Sequence, residues 1–359
     1  MGRRVAALLV LAGATACGTR VPSPPPVVPP TAATIPATSA VVVPTPAPSP
    51  TPPGSPTPSP TTAAPSGVVD IAALFPPAAT PRPEPSCTTA ARPPTALHQT
   101  VDGYPRVAYT AVPADYGSHQ LPVVIALHGF DQQAIDFADY TQLLTVGPQS
   151  GVMVVIPQGI GTPTGWNVPD SPDVGPSDVH YLKVLITRLT RTTCANPSQV
   201  VLAGLSDGSD MSVTAACALP NLVDGVLLVA ASTGPSPSCR PQNVVQIHGT
   251  ADPVDAYTGR PKDLRRGFGA VKAAGAERAF ALWSHLDGCP TSDVLTVRDL
   301  KVFRALQCAH GSVTLIAVQD GGHTWPGAPP RPELGPTTTS LDTAQLLYLA
   351  RIGFGAPPP

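Results

Sequence analysis

Val200-Val201-Leu202-Ala203-Gly204-Leu205-Ser206-Asp207-Gly208 is the stretch around which the rest of the chain is read. A short apolar run with β-branched residues ends in a Gly-x-Ser-x-Gly pentapeptide, and Ser209 to Leu219 reads as a helix. Strand, tight turn and helix in that order make a nucleophile elbow, in which the two glycines permit a turn sharp enough to hold the serine out at the end of a sheet. The helix start then aims backbone N–H groups at any oxygen bound beside that serine. In a chain this rich in glycine and serine the pentapeptide alone is a common pattern. Its weight comes from context.

That context is a series of apolar runs. Leu121 to Leu127 is continuously apolar, as expected of a strand buried on both faces, and ends at His128-Gly129-Phe130. Val152 to Ile156, Val223 to Ala230, Asn243 to Ile247 and Val313 to Val318 repeat the pattern, and Arg106 to Val112 alternates as an early antiparallel strand would. Helical spacing runs through Asp178 to Leu189, with Ser177 as N-cap, and through Asp263 to Ala274, Glu277 to Leu286 and Leu341 to Ile352. Strands alternating with helices predict an α/β domain with a mostly parallel central sheet flanked by helices. In such sheets the chemistry sits beyond the carboxyl ends of the strands.

A serine hydroxyl needs a base to become a nucleophile, and the base needs a carboxylate to hold its tautomer. In the α/β-hydrolase arrangement these follow in the order Ser, Asp, His. Asp252 lies just after the Asn243 to Ile247 run, in His248-Gly249-Thr250-Ala251-Asp252; Asp255, three residues on and expected to be more exposed, is its rival. His323, in Asp320-Gly321-Gly322-His323-Thr324-Trp325, follows the last strand and is the expected base. His128 and His248 also stand at strand ends, but each precedes a glycine and is expected to be buried and to shape its turn. His98, His119, His180, His285 and His310 carry no motif. The oxyanion hole is expected from the backbone N–H groups of Asp207 and Phe130. Trp166 and Trp325 are expected to line an acyl or aryl pocket, or else to anchor their loops.

The segments LHGFDQQAIDFADY (127–140), GWNVPD (165–170), DVHYLKVLITRL (178–189), VVLAGLSDGSDMSVTAACALP (200–220), IHGTADPVDAY (247–257) and GGHTWPG (321–327) occur in one order. Together they resemble the secreted polyhydroxybutyrate-depolymerase/feruloyl-esterase-like family of α/β-hydrolases, over roughly Cys87 to Phe354. The resemblance implies a Ser206–Asp252–His323 triad, hydrolysis of carboxylic esters, an α/β-hydrolase fold without a large lid domain, and a disulfide matching Cys289–Cys308. The chain departs from the family twice. Ser209-Asp210 stand where small residues are usual, and Ser177-Asp178 replace paired aspartates. Asp207 and Asp210 put two carboxylates in the first turn of a helix, which suits its dipole but opposes a second negative charge at the oxyanion. Slow turnover, or a preference for uncharged esters, is the expected consequence.

The 359 residues suffice for one large domain or two small ones. Charged residues make up 12% and the formal net charge is -2, which argues against a nucleic-acid surface. Residues 1–17 read as an export signal: Arg3 and Arg4, then an apolar stretch from Val5 to Ala16 too short to span a bilayer. Ala14-Thr15-Ala16-Cys17 resembles the bacterial lipobox, whose cysteine is lipidated, with Ala14 where leucine is usual. Plain secretion after cleavage near Ala16 is the alternative. Residues 18–86 read as a disordered Pro/Thr/Ser/Ala-rich linker, favouring polyproline II, and 355–359 as a disordered tail. Cys87, Cys194, Cys217, Cys239, Cys289 and Cys308 remain, an even set that suits three disulfides in an exported protein. The expected pairing is Cys217–Cys239 and Cys289–Cys308, leaving Cys87–Cys194. No Cys-x-x-Cys occurs, so no zinc site is expected.

These readings converge on an exported serine esterase, lipid-anchored through Cys17 on the outer face of a bacterial membrane. Residues 87–354 would form its catalytic domain. Its expected partner is an ester substrate, whether small molecule, polymer or polysaccharide-linked, with no cofactor, no metal, no nucleic acid and a monomeric state. Two rivals use the same fold. A serine peptidase would usually need a lid or propeller domain, and a non-catalytic surface protein would explain the acidic elbow.

Overall fold

The computed structural model of the chain describes residues 67–75, 85–87, 91–167, 176–259 and 275–352. In chain order its first elements are α1 (Ile71–Leu74), β1 (Ala96–Val101), β2 (Tyr104–Ala111), β3 (Leu121–Leu127), α2 (Ala134–Thr141), α3 (Leu143–Gln149) and β4 (Met153–Pro157). Then come α4 (Asp178–Thr192), β5 (Ala195–Leu205), α5 (Asp207–Ala218), β6 (Gly225–Val229) and β7 (Asn243–Gly249). The last are α6 (Ala276–Leu286), β8 (Thr291–Val297), β9 (Leu300–Leu306), β10 (Ser312–Val318) and α7 (Thr343–Ile352).

The strands form one ten-stranded sheet in the order β1-β2-β4-β3-β5-β6-β7-β10-β9-β8. Strands β4, β3, β5, β6, β7 and β10 run parallel to one another, while β1, β2, β9 and β8 make antiparallel margins. A parallel strand cannot be reached by a tight turn, so each needs a crossover; helices lie in these crossovers except between β6 and β7, where residues 230–242 form an irregular loop. The order, with β2 antiparallel at the start and the chain reversing direction across the sheet at β3, is that of the α/β-hydrolase fold. Successive side chains of a strand face opposite ways. Val123, Ile125 and Leu127 of β3 therefore join a core with Leu182 and Leu185 of α4, Met211 of α5 and Trp283 of α6. Val124 and Ala126 join a second core with Phe137 of α2, Leu143 of α3 and Leu347 of α7. Two covered faces explain why these runs are apolar without alternation.

The three disulfides are Cys87–Cys194, Cys217–Cys239 and Cys289–Cys308, the pairing expected. The last sits at the open end of the β8–β9 hairpin. That hairpin, β1 and the α2–α3 pair were not among the expected elements. In the three strands the apolar residues are interrupted by Asp293, Lys301, Arg304, His98 and Gln99, as suits a sheet margin.

One boundary is corrected. The linker was expected to reach residue 86, yet Val69 and Ile71 are buried in the second core. The Val69 N–H donates to the Ser340 carbonyl at 2.8 Å, and Tyr348 Oη to the Phe75 carbonyl at 3.1 Å. The short apolar run Val68 to Phe75 has enough surface to dock despite its proline-rich surroundings. The export signal with Cys17, residues 18–66 and 76–84 of the linker, the expected helix at 263–274 and the 355–359 tail lie outside the described residues. No helix among the described residues is long and apolar enough to cross a membrane.

Candidate active site

Ser206 occupies the turn between β5 and α5 with φ 55° and ψ -119°, a backbone conformation that non-glycine residues rarely hold. Strain of this kind persists only where the surroundings over-determine it. Here the Ser206 N–H is tied to the Val229 carbonyl at 2.9 Å, at the end of β6. Ser209 Oγ adds a stitch, donating to the Gly204 carbonyl at 2.7 Å and accepting the Val229 N–H at 3.0 Å. Gly204 and Gly208 let the helix start lie on the strand end. A Cβ on Gly208 would stand 2.1 Å from the Leu127 carbonyl oxygen and 2.6 Å from that of His128. The elbow is thus packed directly on the turn that follows β3.

Asp252 and His323 come together from different strand ends. His323 Nδ1 and Asp252 Oδ2 are 2.8 Å apart, and both side chains are buried. The other carboxylate oxygen, Oδ1, accepts the N–H groups of Val254 and Asp255, each at 2.8 Å. Those bonds aim Oδ2 at the imidazole. His323 is fixed in turn by its N–H, which donates to the Leu334 carbonyl at 2.7 Å. Asp255 is half-buried and its amide serves Asp252, so the residue beside His323 is Asp252. Ser206 Oγ makes no hydrogen bond to His323 in this structure; such contacts often close only when substrate is bound.

Both His-Gly turns are buried, as expected. His128 Nδ1 lies 2.8 Å from the Gly129 carbonyl, and His248 Nδ1 lies 3.1 Å from the Gly249 carbonyl. Burial pushes both imidazoles below the ordinary histidine range; for His248 the Asp252 charge opposes that shift. Phe130 follows the first turn, with its ring exposed and 61% of its surface open to solvent.

The acidic elbow has partners. Asp207 Oδ2 accepts the Trp166 N–H at 3.1 Å, and Asp210 Oδ1 accepts the Thr233 hydroxyl. The next amide, of Asn167, donates to Asp178 Oδ2 at 2.6 Å. Asp178 is itself buried and paired with Arg106 from β2 at 2.6 Å, and the Arg106 guanidinium lies 4.5 Å from the centre of the Tyr181 ring. Burial raises the Asp178 carboxyl while Arg106 pulls it back down. Two consecutive amides of one loop are therefore held by two buried carboxylates. Arg106 and Thr233 were not singled out from sequence, because their partners are distant along the chain.

The two tryptophans are corrected. Trp325 is wholly buried; its ring packs edge-on against Phe137, and its indole N–H donates to Thr343 Oγ1 at 3.0 Å. It anchors α7 rather than lining a pocket. Trp166 is also buried, with its indole N–H on the His128 carbonyl at 2.8 Å and its ring 4.9 Å from the His128 ring. Each fills its polar requirement inside the core, which is what a buried indole needs. No group of three or more His, Cys, Asp or Glu side chains suited to a metal occurs among the described residues.

No protein-family model matches this sequence. Among curated proteins, it is similar to feruloyl esterase B of Piromyces equi, 25% identical over 218 residues that cover 58% of this chain and 40% of that one. It is similar also to the Nocardia uniformis subsp. tsuyamanensis protein named "Putative esterase NocK", 28% identical over 62% of this chain and 72% of that one. The chain thus spans about two fifths of the length of the Piromyces enzyme. Among solved structures, acetyl xylan esterase from Aspergillus awamori aligns with TM-score 0.48 and 15% identity, over 64% of this chain and 94% of that one. The fold assignment rests on the strand order above.

Proposed function

With the chain placed among α/β-hydrolases whose relatives are named esterases, we propose that it hydrolyses carboxylic esters through an acyl-enzyme on Ser206. Ser206 Oγ attacks the ester carbonyl while His323 takes its proton, and the imidazolium returns that proton to the leaving alcohol. Asp252 holds the imidazole by its Nδ1–H and stabilises its charge. The N–H groups of Asp207 and Phe130 hold the oxyanion. Water, deprotonated by His323, then attacks the acyl group and releases the acid. The observation that carries this reading is the buried Asp252–His323 pair at 2.8 Å, at the same end of the sheet as the strained elbow serine.

The names of the relatives suggest esters of plant polysaccharides, aryl or acetyl, as the substrates to test first. Uncharged esters should be preferred over anionic ones, because Asp207 and Asp210 bring two carboxylates into the first turn of α5, next to Ser206. Export, anchoring through Cys17 and a monomeric state belong to the same proposal. The three disulfides support export. A fluorophosphonate probe should label the wild-type chain once, at Ser206, and leave Ser206→Ala unlabelled. Turnover of an aryl ester should fall by roughly 10³-fold or more in that variant. A wild-type chain that neither takes the probe nor hydrolyses any ester of the panel would end the proposal. Incorporation of a labelled fatty acid, lost in Cys17→Ser, tests the anchor separately.

A further inference from the structure

We infer that the segment 67–75, which precedes every strand of the sheet, is an intramolecular clasp that positions the turn carrying His323; the catalytic use of that turn rests on the ester-hydrolase reading above. The turn is backed by a strap, residues 328–340, that leads into α7. The His323 N–H donates to the Leu334 carbonyl at 2.7 Å, the Gly322 N–H to that of Pro336 at 2.8 Å, and the Gly327 N–H to that of Thr338 at 3.0 Å. No side chain separates the two backbones at Gly322, where a Cβ would stand 2.1 Å from the Leu334 carbonyl oxygen. The strap also reaches the Asp252 loop, since a Cβ on Gly335 would stand 3.8 Å from Pro253 Cδ.

Pro329, Pro330, Pro332 and Pro336 have no N–H to donate, so the strap builds little structure of its own. It is fastened from outside. The Arg331 guanidinium lies 4.1 Å from the centre of the Tyr140 ring, and Thr338 Oγ1 donates to Asp299 Oδ2 at 2.6 Å. At its end the Ser340 carbonyl accepts the Val69 N–H at 2.8 Å. The Val69 carbonyl in turn accepts from the Gln345 side chain of α7. Arg304 Nη1 of β9 donates to the Leu74 carbonyl at 3.0 Å, and Tyr348 Oη of α7 to that of Phe75 at 3.1 Å. Val69 and Ile71 are buried in the second core, with Leu74 and Phe75 packed against it. The segment is thus bonded at once to the strap, the sheet margin and the last helix. Undocking it frees Ser340 and the end of the strap, so the His323 turn should open locally while the sheet stays closed.

Two substitutions in the full chain test this. Ile71→Ser removes an apolar anchor. Gln345→Glu keeps the helix start, because Oε1 still accepts the Asp342 N–H and the residue 345 N–H still meets Asp342 Oδ1, but it turns an oxygen toward the Val69 carbonyl. Both should speed hydrogen exchange at the Gly322, His323 and Gly327 amides by on the order of 10-fold, with Ile125 and Leu202 in mid-sheet unchanged. Ile71→Val should exchange as wild type does. The kcat for an aryl ester and the rate of fluorophosphonate labelling should fall by roughly 10-fold in the first two variants, with KM little changed, because the imidazole loses its placement. Exchange at the turn that stays at the wild-type rate would overturn the clasp. So would exchange that rises equally at the turn and in mid-sheet, in step with melting temperature. A turn that opens while kcat holds would overturn its positioning role. Exchange is read without substrate, so a wild type inert to probe and esters would end the ester reading and leave the clasp to be judged on exchange alone.

Discussion

Asp252 gives Oδ1 to two backbone N–H groups and Oδ2 to His323, and that division makes Asp252→Asn a sharp test. The Val254 and Asp255 amides demand an oxygen, so the new NH₂ group must face the imidazole. His323 then has to present an unprotonated Nδ1, which leaves its proton on Nε2, where the base should be. The expected result is a fall in kcat of about 10⁴-fold, with the melting temperature close to wild type. Gly208→Ala should act through folding instead. Its Cβ meets the Leu127 and His128 carbonyls, backbone atoms that cannot step aside, so the soluble yield of the variant should collapse. The triad candidates were legible in the sequence because each follows an apolar run and sits in a glycine-bearing turn. The tryptophans were not, since proximity in sequence to His323 does not tell on which side of the backbone an indole lies. Nor were the partners of the acidic elbow, because Trp166 and Thr233 reach Asp207 and Asp210 through the fold.

A buried pair, Arg106 with Asp178, ties strand β2 to the start of helix α4, and Asp178 in turn holds the loop at Asn167. Removing the cation leaves a carboxylate that burial already disfavours as a charge. Arg106→Leu should therefore lower the unfolding free energy by about 3–5 kcal/mol in urea titrations, far more than loss of a surface pair. Because Asp178 also holds the Asn167 amide, the folded fraction should lose activity as well. Asp178→Asn keeps an acceptor for that amide but strands the guanidinium, and should fall between the two. At this scale the parallel strands were readable, being buried on both faces and uniformly apolar. The marginal strands β1, β8 and β9 were not, because half-exposed pairing tolerates Asp293, Lys301 and Arg304 and erases the hydrophobic run. Helix α1 was hidden for a different reason. Four helical residues carry no period, and only the contacts of Val69 and Ile71 with the second core make them structure.

For the molecule as a whole, pH acts through buried groups that pull in opposite directions. Asp287 is fully buried, with Oδ1 accepting the Gln242 N–H at 3.1 Å and Oδ2 without a partner among the described residues. Burial, partly offset by that hydrogen bond, pushes its carboxyl up to about 7, and burial does the same to Asp224. A carboxyl raised in the folded state favours folding below its unfolded value of 3.8, and this advantage is lost as pH rises to about 7. His128 and His248 do the reverse. Their folded values are depressed, so the unfolded chain gains protons first as pH falls below 6.5, and stability is lost toward acid. Between pH 4 and 6.5 the two pairs oppose each other, and the wild-type profile should be shallow. The difference between wild type and Asp287→Asn isolates one term. Relative to wild type, the variant should gain stability with a slope approaching about 1.4 kcal/mol per pH unit between pH 4 and 7, and the gain should level off above pH 7. Paired urea titrations at pH 4.5, 6 and 8 measure it. A difference that stays constant across that range, or shrinks as pH rises, would mean that Asp287 is ionised in the folded protein and that its cavity supplies a counter-charge or solvent.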